Sequence, residues 1–371
     1  EESHTRAGIP RFVEEYLPTP VPADGEVEVP SIEESVGQSV AAVSADRLFS
    51  LMFSSGTAGH LKAIEVRERA WLLDCTLPKF CFPNVVMSYV PLAHGMDRGI
   101  CWLTAMNGGR IGFAKPGSTH QEILDQSASL GPIFFVATPD FWSTLYHQFV
   151  EDMRRMGIDE TIPSSRRAPA EVEEECSESV DPNPPRARLL DEKYQNCLGH
   201  RISQIFTGGS FTSPCVLAFL EEAFMVPVFN LYGATECPGI ATNGKIRAGT
   251  EVKLLDIPEL GYSQQDTPWP RGEILVRADN MASGYYKDPD LTAKSFVDGF
   301  YCTGDIGALE DGNILHVIDR KANLLELYVQ GRSVWISASR LESIFSRIPG
   351  IHQMYLHGDR MSGFPVAVIV P

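Results

Sequence analysis

The stretch LFSLMFSSGTAGHLKAIEV, residues 48–66, decides how the rest of the chain is read. Two apolar, strand-like runs flank a segment of glycines, hydroxyl residues and Lys62, so the middle is a turn between strands. Such a turn has two readings. It is a tight surface loop, or it is a concave cradle in which backbone N–H groups, hydroxyls and a lysine receive an anion. It departs from the Walker pattern, because Lys62 does not follow a glycine and is itself followed by Ala63. Alone, the loop leaves both readings open.

Bulk properties narrow the field. A chain of 371 residues accommodates one large domain and a smaller one, and 43% hydrophobic residues suffice for a sizeable core. The net charge of −17 argues against nucleic-acid binding through overall charge, while leaving room for a small anion held by local cations. Eight cysteines are scattered without a C-x-x-C pair, and several sit in apolar contexts such as GICWL and FYCTG. They read as reduced thiols, neither a disulfide framework nor a zinc site. The opening EESHTRAGIP has no basic-then-apolar signal pattern, and no run approaches the length of a membrane span. The expectation is a soluble, cytoplasmic protein without a nucleic-acid partner or a membrane span.

Along the chain, residues 1–43 are rich in Pro, Glu and Val and read as an extended arm or linker. From residue 44 the pattern is strand, glycine loop, strand, then a helix near 67–77. A buried strand over 84–92, a helix over 95–106, the strand RIGFA, a helix over 119–129, the strand PIFFVAT and a helix from Pro139 follow. Alternation of this kind predicts an α/β fold with parallel-rich sheets and crossover helices. Residues 163–187 are acidic and rich in Pro and Ser, the composition of a mobile insertion. Order returns with RISQIFTGG and VPVFNLYGATE. From Gly249 a small β-rich region of short strands takes over, with Asp311-Gly312 as a hairpin turn.

Three further elements could carry chemistry. NLYGATE, 230–236, puts an aromatic, a glycine, a hydroxyl and a carboxylate at the end of a buried strand, where open parallel sheets bind ligands. There Tyr232 could stack on a base and Glu236 could offer hard oxygens to Mg²⁺. In FYCTGDIG, Asp305 follows a strand and a glycine and could accept the two hydroxyls of a ribose. In VIDRKANLLEL, Arg320 stands just past a hairpin strand, either as a solvated basic turn or as a phosphate and ribose contact. Each is modest evidence alone.

In this order, the four motifs resemble the adenylate-forming superfamily of acyl-CoA ligases, peptide-synthetase adenylation domains and luciferases. The match is nearest to adenylation domains of carboxylic acid reductases and to long-chain acyl-CoA ligases. Supporting stretches are YVPLAHGMDRG, FTGGSFTSP, LLDIPELGY, PRGEILVRADNMASGYYKDPDLTAKSF and DGFYCTGDIGALEDGNILHVIDRK. The resemblance implies an AMP-binding core over 44–319 and a small α+β C-terminal subdomain over 320–371. It implies ATP-dependent activation of a carboxylic acid, fatty or aryl, to an acyl-adenylate. Transfer to a thiol on coenzyme A or a phosphopantetheine carrier domain follows. Ser54, Ser55, Gly56, Thr57, Gly59 and Lys62 would hold the β- and γ-phosphates. Gly208, Gly209, Ser210, Tyr232, Gly233 and Ala234 would line the adenine site. Thr235 and Glu236 would serve the α-phosphate and Mg²⁺, Asp305 and Arg320 the ribose. His94 in PLAHG would border the acyl pocket, although a core histidine is an equal reading.

Three departures accompany the resemblance. The loop at Ser54 arrives early, so part of the N-terminal subdomain is expected to be missing. The chain ends at FPVAVIVP, part-way through the C-terminal subdomain and before the family's adenylation lysine. After Arg320 stands KANLLEL, with Ala322 at the hinge and Glu326 where several members carry a lysine. A fragment of a working ligase is the first expectation. A degenerate relative that binds nucleotide or scaffolds is the second.

Overall fold

The computed structural model describes residues 46–55, 61–75, 84–158, 185–329, 332–345, 348, 351, 353–358 and 363–370. The arm 1–43 and residues 163–184 of the expected insertion lie outside the described residues, as do Gly56, Thr57 and Gly59.

Strands β1 (Leu48–Ser55) and β2 (Leu61–Arg67) pair antiparallel, with Ser54 opposite Lys62 and Ser55 opposite Leu61. The glycine-rich segment therefore joins the arms of a hairpin. Helix α1 (Glu68–Cys75) packs Trp71 against Met52, Ile64 and Val66 of that hairpin. Strands β3 (Val85–Ser88) and β4 (Arg110–Phe113) run parallel, and α2 (Gly95–Met106) joins them. The strand expected over 84–92 stops at Ser88, as suits a segment approaching Pro91, which can donate no ladder bond. Helix α3 (His120–Leu130) starts in a capping box. The Thr119 hydroxyl accepts from the Glu122 N–H, and the Glu122 carboxylate accepts from the Thr119 N–H at 2.7 Å.

Strands β5 (Phe134–Ala137), β6 (Gln204–Gly208) and β7 (Val228–Tyr232) lie parallel and adjacent. Helix α4 (Pro139–Arg155) follows β5, and α6 (Pro214–Phe224) connects β6 to β7. Trp142, Leu145, Phe149 and Met153 recur at helical spacing along α4, and this stripe is buried with Ile205, Phe219 and Leu220. Between α4 and β6 lies α5 (Pro185–Leu189), which takes in the last three residues of the expected insertion. Arg186 anchors α5. Its guanidinium donates to both Glu222 oxygens at 2.9 and 2.7 Å and lies 5.2 Å from the Phe149 ring.

The β-rich stretch extends the same sheet. Past β7 come β8 (Ala241–Thr242), β9 (Lys245–Ile246), β10 (Glu251–Leu255) and β11 (Arg271–Arg277). β12 (Gly284–Tyr285) leaves the sheet to pair with β2, and α7 (Pro289–Ser295) follows. β13 (Phe296–Val297), β14 (Phe300–Glu310) and β15 (Ile314–Arg320) return to it. The path is β10-β11-β14-β15-β9-β8-β7-β6-β5, with β13 on β14, ten strands among the described residues. Asp311 (φ 47°) and Gly312 (φ 73°) make the β14–β15 turn, both in the left-handed region this hairpin class requires. Beyond Arg320 come a 3₁₀ turn, the hairpin β16 (Leu324–Val329) with β17 (Arg332–Ser337), α8 (Ala338–Phe345), and the hairpin β18 (Gln353–His357) with β19 (Val366–Val370). Among the described residues no helix is long and apolar enough to cross a membrane.

Candidate active site

The carboxyl ends of β6 and β7 stand side by side, Gly208 paired with Leu231, which is where an open parallel sheet leaves a crevice. Past Gly208 the chain turns through Gly209 at φ 91°, left-handed backbone that favours glycine, and reaches the exposed Ser210. Past Tyr232 it runs through Gly233 into a tight turn. There Ala234 and Cys237 exchange backbone hydrogen bonds at 3.0 and 3.1 Å. Thr235 is half-buried on this turn, and Glu236 is only 6% exposed.

One constellation joins three motifs. The Tyr232 hydroxyl donates to Asp305 Oδ2 at 2.9 Å, and Arg320 Nε donates to Asp305 Oδ1 at 3.0 Å. Asp305 lies inside β14, a correction to the expectation that it follows the strand. The pairing of β14 with β11 slips there, Cys302 facing Leu275 but Ile306 facing Glu273, and Gly304 at φ 72° forms the kink. Bulges of this kind re-aim a side chain beside a site. The Thr303 hydroxyl pins the kink, donating to the Ile274 carbonyl at 2.8 Å and accepting from the Asp305 N–H at 3.0 Å. Burial raises the Asp305 carboxyl above its ordinary range, against the opposing pull of Arg320 and Tyr232. Burial and the charge of Asp305 push the Tyr232 hydroxyl well up, so it remains a donor.

A second constellation joins Lys62 and Glu236 through Tyr285. The Tyr285 hydroxyl donates to Glu236 Oε1 at 2.7 Å, and the Lys62 ammonium lies 5.5 Å from the centre of the Tyr285 ring. Backbone bonds fix the arrangement. Tyr285 pairs with Ile64, the Tyr286 N–H reaches the Ala63 carbonyl at 2.8 Å, and the Ala282 N–H reaches the Glu236 carbonyl at 2.8 Å. The Tyr301 hydroxyl neighbours both Glu236 and Tyr285. Burial first, then the Glu236 charge, raises both tyrosines above their ordinary value.

Neither Tyr285 nor Tyr301 was marked as a site residue by the sequence, although both lie in quoted stretches, GYYKDP and GFYCTGD. The sequence offered no signal that separates them from core tyrosines: the strand at Tyr285 is two residues long, and both are buried. His94 is exposed at the N-cap of α2 and its side chain caps nothing. It lies two residues past a cleft of about 300 Å³ at the carboxyl ends of β3 and β4, walled by 88–92 and 113–118. Behind it, Asp97 is buried and accepts from the Ser88 hydroxyl at 2.5 Å; burial raises its carboxyl, with Ser88 and His94 opposing. Ala322 is exposed in the 3₁₀ turn, and Glu326 accepts from the Ser333 hydroxyl across its hairpin at 2.7 Å.

Among the described residues no group of three or more His, Cys, Asp or Glu side chains is placed to hold a metal ion. A Mg²⁺ carried by phosphates needs less: it keeps waters and takes one or two carboxylates. A buried Glu236 held by a neutral donor, beside the Thr235 hydroxyl, suits that role.

The chain is similar to known proteins of one family. Fatty acyl-CoA synthetase A of Dictyostelium discoideum is 29% identical over 351 residues, spanning 88% of this chain and 51% of that protein. Carboxylic acid reductase of Mycobacterium tuberculosis is 30% identical over 335 residues, spanning 88% of this chain and 27% of that protein. The chain thus spans about half the length of the first and about a quarter of the second. Among solved structures, the A-PCP didomain of carboxylic acid reductase from Segniliparus rugosus in complex with AMP superposes with a TM-score of 0.73. It is 26% identical, and the match covers 89% of this chain and 43% of that one. The sequence profile described as "AMP-binding enzyme" matches residues 13–286, which take in the β1–β2 hairpin, the β6 and β7 ends and Tyr285. By that match, the chain belongs to the AMP-binding enzyme family.

Proposed function

We propose that this chain is the nucleotide-handling part of an ATP-dependent acid–thiol ligase. A carboxylate oxygen of the acid attacks the α-phosphorus of ATP, the bond to the β-phosphate breaks and pyrophosphate leaves. A thiol of coenzyme A or of a phosphopantetheine carrier then attacks the acyl carbonyl, giving up its proton as AMP departs. The observation that carries this reading is the meeting of Tyr232 and Asp305, 73 residues apart, with Arg320 at the crevice of a parallel sheet.

In this reading Asp305 accepts from the ribose hydroxyls and Tyr232 covers the adenine beside Gly208, Gly209, Ser210, Gly233 and Ala234. Each Asp305 oxygen keeps a lone pair beyond its present bond. Lys62, with Ser54, Ser55, Gly56, Thr57 and Gly59, serves the β- and γ-phosphates. Negative charge shifts toward pyrophosphate as the reaction proceeds, and fixed cations and donors stabilise it there. Thr235 faces the α-phosphate, and Glu236 holds Mg²⁺, which neutralises phosphate charge when bound. His94 borders the acid, a fatty or aryl one. A binding-only relative is the second reading, favoured by Glu326 in a position where the resemblance places a lysine.

Calorimetric titration with a non-hydrolysable acyl-adenylate tests the nucleotide site, and saturable binding is expected. No heat from folded chain at millimolar ligand overturns the proposal. Acid-dependent pyrophosphate exchange, measured in the longer protein, separates the ligase from the binding-only relative.

A further inference from the structure

Glu236 lies at a seam. On one side is the apolar cluster of Met52, Ile64, Val66 and Trp71, which contributes Tyr285; on the other is that of Ile240, Ile274, Val276 and Leu315, which contributes Tyr301. A carboxylate buried at such a seam requires hydrogen-bond donors. An arginine or lysine donor would cancel its charge and compete with a cation. Tyrosine hydroxyls donate and carry no charge, so the full negative charge stays available.

Tyr285 also has a second attachment. Its ring faces the Lys62 ammonium at 5.5 Å, its backbone lies in register with Ile64 on the strand that carries Lys62, and its hydroxyl holds Glu236 Oε1 at 2.7 Å. One side chain therefore ties the phosphate hairpin to the carboxylate.

Resting on the nucleotide reading above, we infer that Tyr285 is a positioning residue: its hydroxyl fixes Glu236 for the divalent cation of a bound nucleoside triphosphate, while its ring supports Lys62. The two roles separate by substitution. Tyr285→Phe keeps the ring, the β12–β2 pairing and the packing, and removes the hydroxyl alone.

The experiment measures ATP affinity of the full chain by calorimetry, once with Mg²⁺ and once with EDTA, for the parent, Tyr285→Phe, Glu236→Gln and the double variant. Thermal melts check folding. In Tyr285→Phe the tightening of ATP by Mg²⁺ is expected to shrink roughly tenfold to a hundredfold, the scale of one hydrogen bond to a charged group. The metal-free affinity is expected to stay within about twofold, because the ring still faces Lys62. In the Glu236→Gln background the further change Tyr285→Phe is expected to add nothing, since a residue that acts through Glu236 has no effect once that carboxylate is gone.

An equal loss in both backgrounds shows that Tyr285 acts independently of Glu236 and overturns the inference. So does an unchanged Mg²⁺ effect in Tyr285→Phe. Should Tyr285→Phe fail to fold, Tyr301→Phe replaces it with the same readouts, and an unchanged Mg²⁺ effect there overturns the solvation of Glu236 by tyrosines. A parent chain that binds no ATP in either buffer overturns the nucleotide reading itself, an outcome distinct from the others because the parent is measured first.

Discussion

Asp305 concentrates more of the site than any other side chain described here. Both of its oxygens are engaged, one by Tyr232 and one by Arg320, and burial works against its ionisation. Its partners hold the carboxylate in place, and in the proposed function its remaining lone pairs meet the ribose. Asp305→Ala is expected to weaken ATP binding by about 1.5–3 kcal/mol, the range for a hydrogen bond to a charged group. Calorimetry on a variant that melts as a folded chain checks this, and unchanged affinity overturns the ribose assignment. Tyr232→Phe keeps the aromatic ring and is expected to lose less. Asp305 and Tyr232 were both legible from their motifs, each after a small residue or in a strand end. Their mutual bond was not, because 73 residues separate them and the pairing of the intervening strands sets the approach.

The bulge in β14 shows how a single element aims a functional group. A regular strand through Gly304 would continue the alternation of side chains and turn Asp305 away from its present direction. At φ 72°, Gly304 breaks the alternation, and an added Cβ there meets nothing within 4 Å. The cost of Gly304→Ala is therefore a backbone cost, about 1–2 kcal/mol for left-handed geometry. It is partly offset by the reduced freedom of the unfolded chain. Chemical denaturation is expected to show a net loss near ~1 kcal/mol, together with weaker ATP binding as Asp305 shifts. Gly304→Asn is expected to retain more of both, because asparagine enters the left-handed region more readily. Equal stability for Gly304→Ala and the parent would falsify the strain argument. The glycine was visible in the sequence, but its sign of φ was not, since glycine is equally at home in an ordinary turn.

For the molecule as a whole, a net charge of −17 makes stability sensitive to pH, as repulsion grows when carboxyls ionise. Asp97 adds a separate contribution. Its carboxyl is raised above the ordinary 3.8, chiefly by burial, with the Ser88 hydroxyl and His94 opposing and Cys101 nearby. A raised carboxyl favours the native state when protonated. That contribution is present in full below 3.8 and is lost as pH rises through the raised value. Asp97→Asn keeps a polar group beside Ser88 and removes the titration. The melting temperature of Asp97→Asn relative to the parent is expected to climb as pH rises from acid toward neutral. Parallel melting curves for the two chains across that range would show that Asp97 carries no such linkage.

Local information in the chain was enough for the helices near 67–77, 95–106, 119–129 and after Pro139, and for the parallel strands. The helix over 95–106 and the Asp311-Gly312 turn follow from periodicity and turn chemistry, which act between near neighbours. The ends of β6 and β7 were legible for the same reason, as apolar runs closed by small residues. What remained hidden was set by contacts between distant segments. The β-rich stretch could have formed its own sheet, and no local pattern records that it continues past β7 through β8 and β9. Tyr285 is the sharpest case. Its meeting with Glu236, 49 residues away, depends on β12 leaving the large sheet to pair with β2. That choice is made by the apolar seam it closes over Ile64 and Trp71, a packing energy summed over several elements that no window of sequence contains.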